Sequence, residues 1–317
     1  MGTKIEWCNF MPGYKGESWN PMTGCRKVSP GCDHCYAERM AGRLKGMGIP
    51  QYQKATDNGN WTGYGVWAGS KVLSRPTRWA KPRLIFVCSM SDLFFASFPQ
   101  EWIDAVWFEM KNNPQHIFLV LTKRPHRMRE YLKGKNPLPN VWLGVTAENQ
   151  ECADKRIPDL LRTPAAVRFI SVGPMLGPVE LQDPYQVRGH LTVDPREGRF
   201  GCIAEPGGTP KYRMPDRPTL DWVICEGESG PGARPMHPDW PWDLRDQCNT
   251  YGTPFFFKQW GEWLPVSQSG DGWGNIPLGV KLAYFGAKPI ARVGKHRAGR
   301  LLDGREWNQV PAVTAEA

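Results

Sequence analysis

The stretch "RLIFVCSMSD" at residues 83–92 indicates the fold class, because it predicts a buried strand that is followed directly by polar residues. Residues 84–88 are continuously apolar, as in a parallel strand that is covered on both faces. Ser89, Ser91 and Asp92 follow at once. In βα barrels the carboxyl ends of the strands build the active site. We therefore expect these three polar residues to lie at a functional edge of a parallel sheet.

The same kind of apolar run recurs along the chain. Five further runs predict strands: "HIFLVLTKR" (116–124), "VWLGVTAEN" (141–149), "VRFISVGPM" (167–175), "LDWVICEGESG" (220–230) and "TPFFFKQWG" (253–261). Amphipathic stretches stand between them and predict helices at 99–113, 154–163 and 237–252, the last ending at Gly252. This alternation predicts an α/β protein built as a full or partial (β/α) barrel, a single domain over 1–317, with "FFFKQWGEW" (255–263) as an eighth strand.

Three regions interrupt the alternation. Residues 46–80 are rich in Gly and Trp and predict a long ordered loop, whereas 181–219 are rich in Pro, Gly and Arg and predict an insertion between strands. The C-terminal extension 281–317 is strongly basic as far as residue 306. We interpret that extension either as a solvated surface or as a contact for nucleic acid or phosphate.

Composition narrows the class of partner. The net charge of +9 and the isoelectric point near 9.1 favour a polyanionic partner such as nucleic acid, although a merely basic enzyme remains open. The N-terminus lacks a signal-peptide core and no apolar run is long enough to span a bilayer, so we expect a cytoplasmic protein without a membrane partner. Nine cysteines, three of them clustered, favour metal chemistry over a disulfide framework.

The clustered cysteines lie in "GCRKVSPGCDHCYAERM" at residues 24–40. Cys25, Cys32 and Cys35 follow a C-x6-C-x2-C spacing, in a loop that precedes a predicted helix and so takes the first βα-loop position. Thiolates are ligands for zinc and for iron–sulfur clusters. Zinc needs a fourth ligand, for which Cys8 or His34 is near in sequence. A [4Fe–4S] cluster held by three cysteines has one iron free for another ligand.

The cysteine pattern resembles that of radical S-adenosylmethionine (SAM) enzymes, whose usual spacing is C-x3-C-x2-C. The chain also resembles one phage-associated radical-SAM-like family that is distantly similar to spore photoproduct lyase. Segments spread over nearly the whole chain carry the resemblance: "WNPMTGCRKVSPGCDHCYAERMAGRL", "VCSMSDLF", "LVLTKRP", "LGVTAENQ", "VGPMLGPVEL", "GESGPGARPMHPDW", "PFFFKQWGEW" and "GRLLDGREW". The resemblance implies a barrel of the radical SAM type with loop insertions.

The resemblance also implies residue roles. Cys25, Cys32 and Cys35 would ligate a [4Fe–4S] cluster whose open iron binds SAM, and reduction would give a 5′-deoxyadenosyl radical. Cofactor-binding positions would be His34 against the adenine, and, at the strand ends, Ser89, Ser91, Asp92, Lys123, Thr146, Glu148 and Glu228. The candidate catalytic residues are Cys225, Glu226 and Lys258.

The sequence departs from this family at two strand ends. The family usually has an acidic residue where this chain has Gly173, and Glu226 stands where we expect glycine. We hypothesise that an acid has moved from one strand end to its neighbour.

The expected function is radical chemistry on a nucleic-acid base, with DNA favoured, or on a nucleotide-derived substrate. A phage setting indicates DNA (thymidine) hypermodification by rearrangement in the cytoplasm of a bacterial host, with flavodoxin or ferredoxin as electron donor. The alternatives are a DNA-lesion repair lyase and a zinc-stabilised nucleic-acid-binding protein without catalysis.

Overall fold

The computed structural model describes residues 2–3, 5–181 and 219–312, together with the backbone of two short paired strands, Thr192–Val193 and Phe200–Gly201. The predicted insertion at 181–219 therefore lies almost wholly outside the described residues, as does the end of the C-terminal extension. None of the described helices is both long and apolar enough to cross a membrane.

A seven-stranded parallel sheet forms the centre of the molecule. Its strands are β1 (Lys15–Trp19), β2 (Arg83–Val87), β3 (Ile117–Thr122), β4 (Val141–Thr146), β5 (Val167–Val172), β6 (Trp222–Glu226) and β7 (Phe255–Gln259). Their order in the sheet is their order in the chain, and each neighbouring pair is parallel.

This sheet confirms the α/β class and is compatible with a partial βα barrel. The six predicted strands are β2–β7, and β1 precedes the cysteine loop as the first βα-loop position requires. The expectation of an eighth strand at 255–263 is wrong, because the seven-stranded sheet ends with the strand at Phe255–Gln259.

Five longer helices connect the strands. They are α1 (Tyr36–Gly46), α2 (Gln100–Lys111), α3 (Pro125–Leu132), α4 (Gln150–Leu161) and α5 (Asp239–Tyr251). Helix α4 begins four residues before its predicted start at 154, because the Asn149 side chain caps it by accepting a hydrogen bond from the Cys152 N–H at 3.0 Å. Gly252 ends α5 in the left-handed conformation, as predicted.

The two faces of the sheet carry separate hydrophobic clusters. Ile85 and Val87 belong to the cluster that includes apolar residues of the helices, whereas Leu84 belongs to a second cluster on the opposite face. The second cluster also contains Trp7, Cys8 and Met11 from the N-terminal segment. Thus the N-terminal segment covers the face that the longer helices leave open.

The loop 46–80 is ordered, as predicted, and contains two short helices, Pro50–Gln53 and Ser70–Leu73. The C-terminal region forms an antiparallel sheet of β8 (Trp263–Pro265), β9 (Leu282–Phe285) and β10 (Lys288–Arg292). A short helix at Lys295–Ala298 follows it.

The described part of the C-terminal extension is therefore folded, and whether it is a solvated surface or a contact surface stays open. Several of its cations pair with acids of the same chain: Lys288 with Asp239, Lys295 with Glu6, and Arg300 with Glu306. This pairing weakens the interpretation of the extension as a contact for nucleic acid.

Candidate functional site

One cavity of about 580 Å³ gathers the polar strand ends and the cysteine loop. All of the expected site residues except Glu148 and Cys225 line it. They meet because the carboxyl ends of parallel strands lie at the same edge of the sheet. The volume lies in the range of small-molecule binding sites.

The three clustered cysteines contribute free thiols to this cavity. Cys25 lies in the loop after β1, Cys32 ends the short helical turn Pro30–Cys32, and Cys35 stands directly before α1. Cys32 is buried, whereas the other two are half-buried. Burial and the nearby Asp92 carboxylate raise the pKa of the Cys25 thiol to about 11. A metal that binds there must therefore displace a proton. We call these three residues the thiol end of the cavity.

The three thiols are the soft ligands of the cavity, and the described residues offer them no fourth ligand for zinc. Within the described ranges, no group of three or more His, Cys, Asp or Glu side chains is arranged to hold one metal ion. Cys8, a candidate fourth zinc ligand, is fully buried in the N-terminal hydrophobic cluster, and His34 is bound to Glu228. Cysteine thiolates are also the usual ligands of iron–sulfur clusters, so Cys25, Cys32 and Cys35 are the residues that would hold one, although the described arrangement shows neither a zinc site nor a cluster site.

Glu148 lies behind the cysteine loop and not on the cavity wall. Its fully buried carboxylate accepts hydrogen bonds from the Ser29 hydroxyl and, at 2.5 Å, from Arg156 Nη1. A Cβ on Gly31 would lie 2.7 Å from Glu148 Oε1, so the loop approaches the carboxylate as only glycine allows. Burial alone would raise the pKa of Glu148, but Lys123 and Arg156 hold it below its ordinary value. This geometry indicates that Glu148 supports the cysteine loop. It argues against the expected contact of Glu148 with SAM.

Asp92 lines the cavity, but its carboxylate is already fully hydrogen-bonded. It accepts four bonds: from Thr122 Oγ1 at 2.7 Å, the Phe94 N–H at 3.0 Å, the Lys123 N–H at 3.0 Å and Arg124 Nη1 at 2.7 Å. A carboxylate has about four lone-pair sites, so Asp92 has little capacity left for ribose hydroxyls.

Arg124 is the residue at this end that the sequence reasoning missed. Asp92 holds it so that its Nη1 lies 3.7 Å from Cys25 Sγ, and its Nη2 donates to the Arg26 carbonyl at 2.9 Å. Arg124 follows Thr122 and Lys123 directly at the end of β3, and this position in the sequence could have identified it as a candidate site residue. A cation fixed beside a thiolate ligand stabilises the deprotonated form of that ligand.

Glu228 connects the segment after β6 to the cysteine loop. Its carboxylate contacts His34 Nδ1 at 3.0 Å and forms two hydrogen bonds with the Arg234 guanidinium, at 2.6 and 2.9 Å. Arg234 also donates to the Pro30 carbonyl at 2.9 Å. Burial would raise the pKa of Glu228, but the bonds from Arg234 and His34 lower it. Glu228 therefore orients His34, and His34 keeps its place on the cavity wall.

The remaining expected cofactor-binding residues differ in how free their polar groups are. The Ser89 hydroxyl donates to Asn20 Oδ1 at 3.2 Å, and the Ser91 hydroxyl donates to the Met22 carbonyl at 3.0 Å. The Lys123 ammonium forms no hydrogen bond or ion pair with any residue that the structure describes, although it faces the same cavity. Thr146 lies on that wall as well, and its carbonyl accepts from Arg156.

The other end of the cavity carries two ion pairs, which we call the ion-pair end. Lys258 Nζ lies 2.6 Å from Glu226 Oε2, and Lys295 Nζ lies 2.9 Å from Glu6 Oε1. Burial would lower the pKa of Lys258, but Glu226 and Glu6 raise it. Lys258 is therefore an ammonium at neutral pH, with further N–H donors beyond the one that Glu226 engages.

Gly173 leaves the space that the Glu226 side chain occupies. A Cβ on Gly173 would lie 2.6 Å from Cγ of Glu226 and 2.7 Å from its Oε1. Gly173 directly follows β5, and Glu226 is the last residue of the neighbouring parallel strand β6. Glu226 thus fills the space beside Gly173, and the hypothesis that an acid has moved between these strand ends stays a prediction.

Cys225 lies in the hydrophobic core and does not reach the cavity. It is fully buried, its Sγ lies 3.7 Å from Met175 Sδ, and burial raises the pKa of its thiol well above the ordinary value. A group that acts on a substrate must touch it, so this position argues against the expected catalytic role of Cys225.

Comparison with known proteins gives a family and no activity. A family described as "Protein of unknown function (DUF5131)" matches residues 2–311. No curated protein and no solved structure matches the chain.

Proposed function

This chain belongs to the DUF5131 family, and we propose that it is a radical SAM enzyme whose Cys25, Cys32 and Cys35 hold a [4Fe–4S] cluster. One observation carries the proposal: three free thiols line a single cavity at the carboxyl ends of parallel strands. The chemistry that a bound cluster and SAM supply is radical abstraction of a hydrogen atom from the substrate.

The residues of the thiol end have positioning roles in this proposal. Arg124 places a cation beside Cys25, and Glu148 supports the cysteine loop through Ser29. Glu228 fixes the ring of His34, which leaves that ring on the wall where an adenine would bind. These contacts orient the cofactors before any substrate enters, which is the usual task of a protein around a reactive cofactor.

The ion-pair end is the proposed substrate side. Lys258 holds protons at Nζ, and Glu226 fixes the direction of that ammonium. Together they offer donors and acceptors to a polar ring, as enzymes that act on extruded bases do. The substrate that we propose is a base of a nucleic acid, a class of partner that the net charge of +9 favours. The resemblance to a phage-associated family that is distantly similar to spore photoproduct lyase favours DNA. The reaction that we propose is rearrangement of a modified thymidine in phage DNA, with flavodoxin or ferredoxin as electron donor.

Anaerobic reconstitution with iron and sulfide tests the cofactor part. We expect a brown protein that binds SAM and, with dithionite, forms 5′-deoxyadenosine. A colourless protein in which elemental analysis finds zinc would contradict the proposal, and so would a brown protein that neither binds nor cleaves SAM.

Nucleoside mass spectrometry tests the substrate part. The reconstituted protein is incubated with SAM, reductant and hypermodified phage DNA, and the DNA is then digested to nucleosides. A SAM-dependent change in the modified thymidine supports rearrangement. A change confined to photodamaged DNA indicates repair of lesions, and no change in any nucleoside contradicts a nucleic-acid substrate.

A further inference from the structure

We propose that a groove beside the cavity binds the phosphate backbone of a single nucleic-acid strand. This basic groove has a volume of about 460 Å³, and its charged lining residues are Lys123, Arg124, Arg127, Lys155, Arg156 and Asp159. The inference rests on the proposed function for its choice of a nucleic acid, and it adds where the strand is held.

Positive charge in this groove is only partly neutralised. Lys123 forms no ion pair within contact distance among the described residues, although its charge acts on the buried Glu148 carboxylate. Arg127 donates to two backbone carbonyls, those of Phe95 and Phe98. Carbonyl groups satisfy the N–H donors of an arginine but do not cancel its charge. Asp159 is the one acid among the lining residues, and Arg129, from outside the groove, binds it at 2.6 Å.

The other cations of the groove contribute differently. Arg124 and Arg156 are paired with the buried acids Asp92 and Glu148. Their charges are therefore neutralised within the protein, and their side chains form part of the groove wall. Lys155 pairs with Glu151 on the surface of α4, where both side chains are about 70% exposed, at 69% and 72%. Exposed pairs of this kind contribute little and exchange partners readily. Arg127 and Lys155 are therefore the cations most available to phosphates, and Lys123 adds positive charge where the groove meets the cavity.

The groove is continuous with the cavity. Lys123 and Arg124 line both of them. A strand in the groove would thus place one nucleotide at the cavity mouth, and the base of that nucleotide must leave its stack to enter. A single strand meets this requirement at the lowest cost in base-pairing energy.

The C-terminal extension offers a weaker alternative surface. Lys288 and Lys295 are paired with Asp239 and Glu6, and Arg297 donates to the Asn275 carbonyl. Two of its lysines are thus engaged in ion pairs, whereas Arg297 keeps its charge as Arg127 does, and Lys295 faces the ion-pair end of the cavity. The groove differs from this surface because Lys123 and Arg124 connect it to the thiol end of the cavity, where the proposed cofactor would bind.

Salt-dependent binding of a fluorescent single-stranded oligonucleotide tests the inference, with fluorescence anisotropy as the readout. The groove variant is R127Q/K155Q and the matched control is the extension variant K288Q/R297Q. Each removes two positive charges, so the formal net charge falls equally, from +9 by two to +7. Thermal unfolding of both variants verifies that they are folded.

We expect the plot of log affinity against log salt to become shallower by about 1.4 in the groove variant, since each contact with a single strand contributes about 0.7. The extension variant should keep the wild-type slope. Equal slopes for all three proteins, or the same change in both variants, would overturn the inference. So would a mononucleotide that binds the wild-type protein as tightly as the oligonucleotide does.

A second variant is needed in case the first does not fold, because Arg127 also donates hydrogen bonds to two loop carbonyls. Lys155→Glu alters a largely exposed side chain, and we expect it to weaken binding of the oligonucleotide at low salt and to flatten the slope. Cleavage of SAM by the wild-type protein is measured separately. Cleavage without any effect of the groove variants refutes the groove alone, whereas groove-dependent binding by a protein that never holds a cluster refutes the proposed function.

Discussion

The two ends of the cavity are assembled in different ways. The thiol end comes from one continuous stretch, Cys25 to Cys35, whereas the ion-pair end takes single residues from distant parts of the chain. Those residues are Glu6, Glu226, Lys258 and Lys295. A local motif therefore specifies the proposed cofactor side, and only tertiary folding creates the proposed substrate side.

The two ends also differ in how firmly they are held. Acids that are at most 8% exposed form the ion pairs of the thiol end: Glu148 with Arg156, Asp92 with Arg124 and Glu228 with Arg234. At the ion-pair end the acid Glu226 is 19% exposed, and the cavity is directly beside it and Lys258. We infer that the thiol end is preorganised, while the ion-pair end can exchange partners with a substrate.

The largest expected effect is loss of the iron–sulfur cluster when a cysteine of the thiol end is replaced. Cys32→Ala should abolish the iron–sulfur chromophore and the formation of 5′-deoxyadenosine, because two thiolates cannot hold the cluster. The control Cys8→Ala should retain iron, since Cys8 is buried in the N-terminal hydrophobic cluster. Iron analysis and visible absorption measure both. Loss of metal from the Cys8 variant would reverse our assignment of the ligands.

The next effect concerns the ion-pair end. Lys258→Met should retain the chromophore but reduce turnover of the nucleic-acid substrate by about 100-fold, the lower range for loss of a positioned proton donor. Lys281→Met removes the same charge from an exposed position and should leave turnover unchanged. Product formation per cluster, measured by nucleoside mass spectrometry, distinguishes them. Equal turnover by the two variants would show that the ion-pair end takes no part in the reaction.

Stability tests the preorganisation of the thiol end. Glu148→Gln should lower the free energy of unfolding by about 3 kcal/mol at neutral pH, because it leaves the Arg156 charge buried without its partner. Denaturant unfolding of the cluster-free protein measures this loss. An unchanged midpoint would mean that the loop does not depend on Glu148.

The same variant predicts a dependence on pH. The pKa of Glu148 is lowered from its ordinary 4.5 in the folded protein, so the unfolded chain binds the proton more tightly. The stabilisation by Glu148 is complete above the ordinary pKa of 4.5. It is lost as the pH falls through the lower pKa that Glu148 has in the folded protein. The difference in stability between wild type and Glu148→Gln should therefore shrink on acidification, as unfolding titrations at several pH values would reveal.

The smallest expected effect tests the relation between Gly173 and Glu226. Gly173→Ala alone should cost about 1–3 kcal/mol through overpacking against the Glu226 side chain. In a Glu226→Gly background the same change should be nearly neutral, because the obstructing atoms are gone. A double-mutant cycle measured by denaturant unfolding gives the coupling energy. Additive costs would contradict the close approach of these two residues.

The sequence predicted the strands better than the helices, for a physical reason. The runs at β2–β7 are continuously apolar because both faces of the sheet are covered, and this pattern is visible locally. Helix α3, "PHRMREYL", was missed since it is short and mostly polar, with Met128 and Leu132 as its buried contacts. The sequence left the role of the basic extension open, because it does not record that part of this charge is neutralised by acids remote in sequence, such as Glu6 for Lys295.

The sequence by itself determined the α/β class, the position of the strand ends and the cluster of three thiols. These follow from hydrophobic periodicity and short-range spacing, which a chain carries before it folds. Only the tertiary structure decided which strand-end residues are free to act. Asp92 and Glu148 resembled open ligands in sequence, but Arg124 and Arg156 occupy them in the folded chain. A buried carboxylate must find a partner wherever the fold brings one, and one-dimensional spacing does not record where that is.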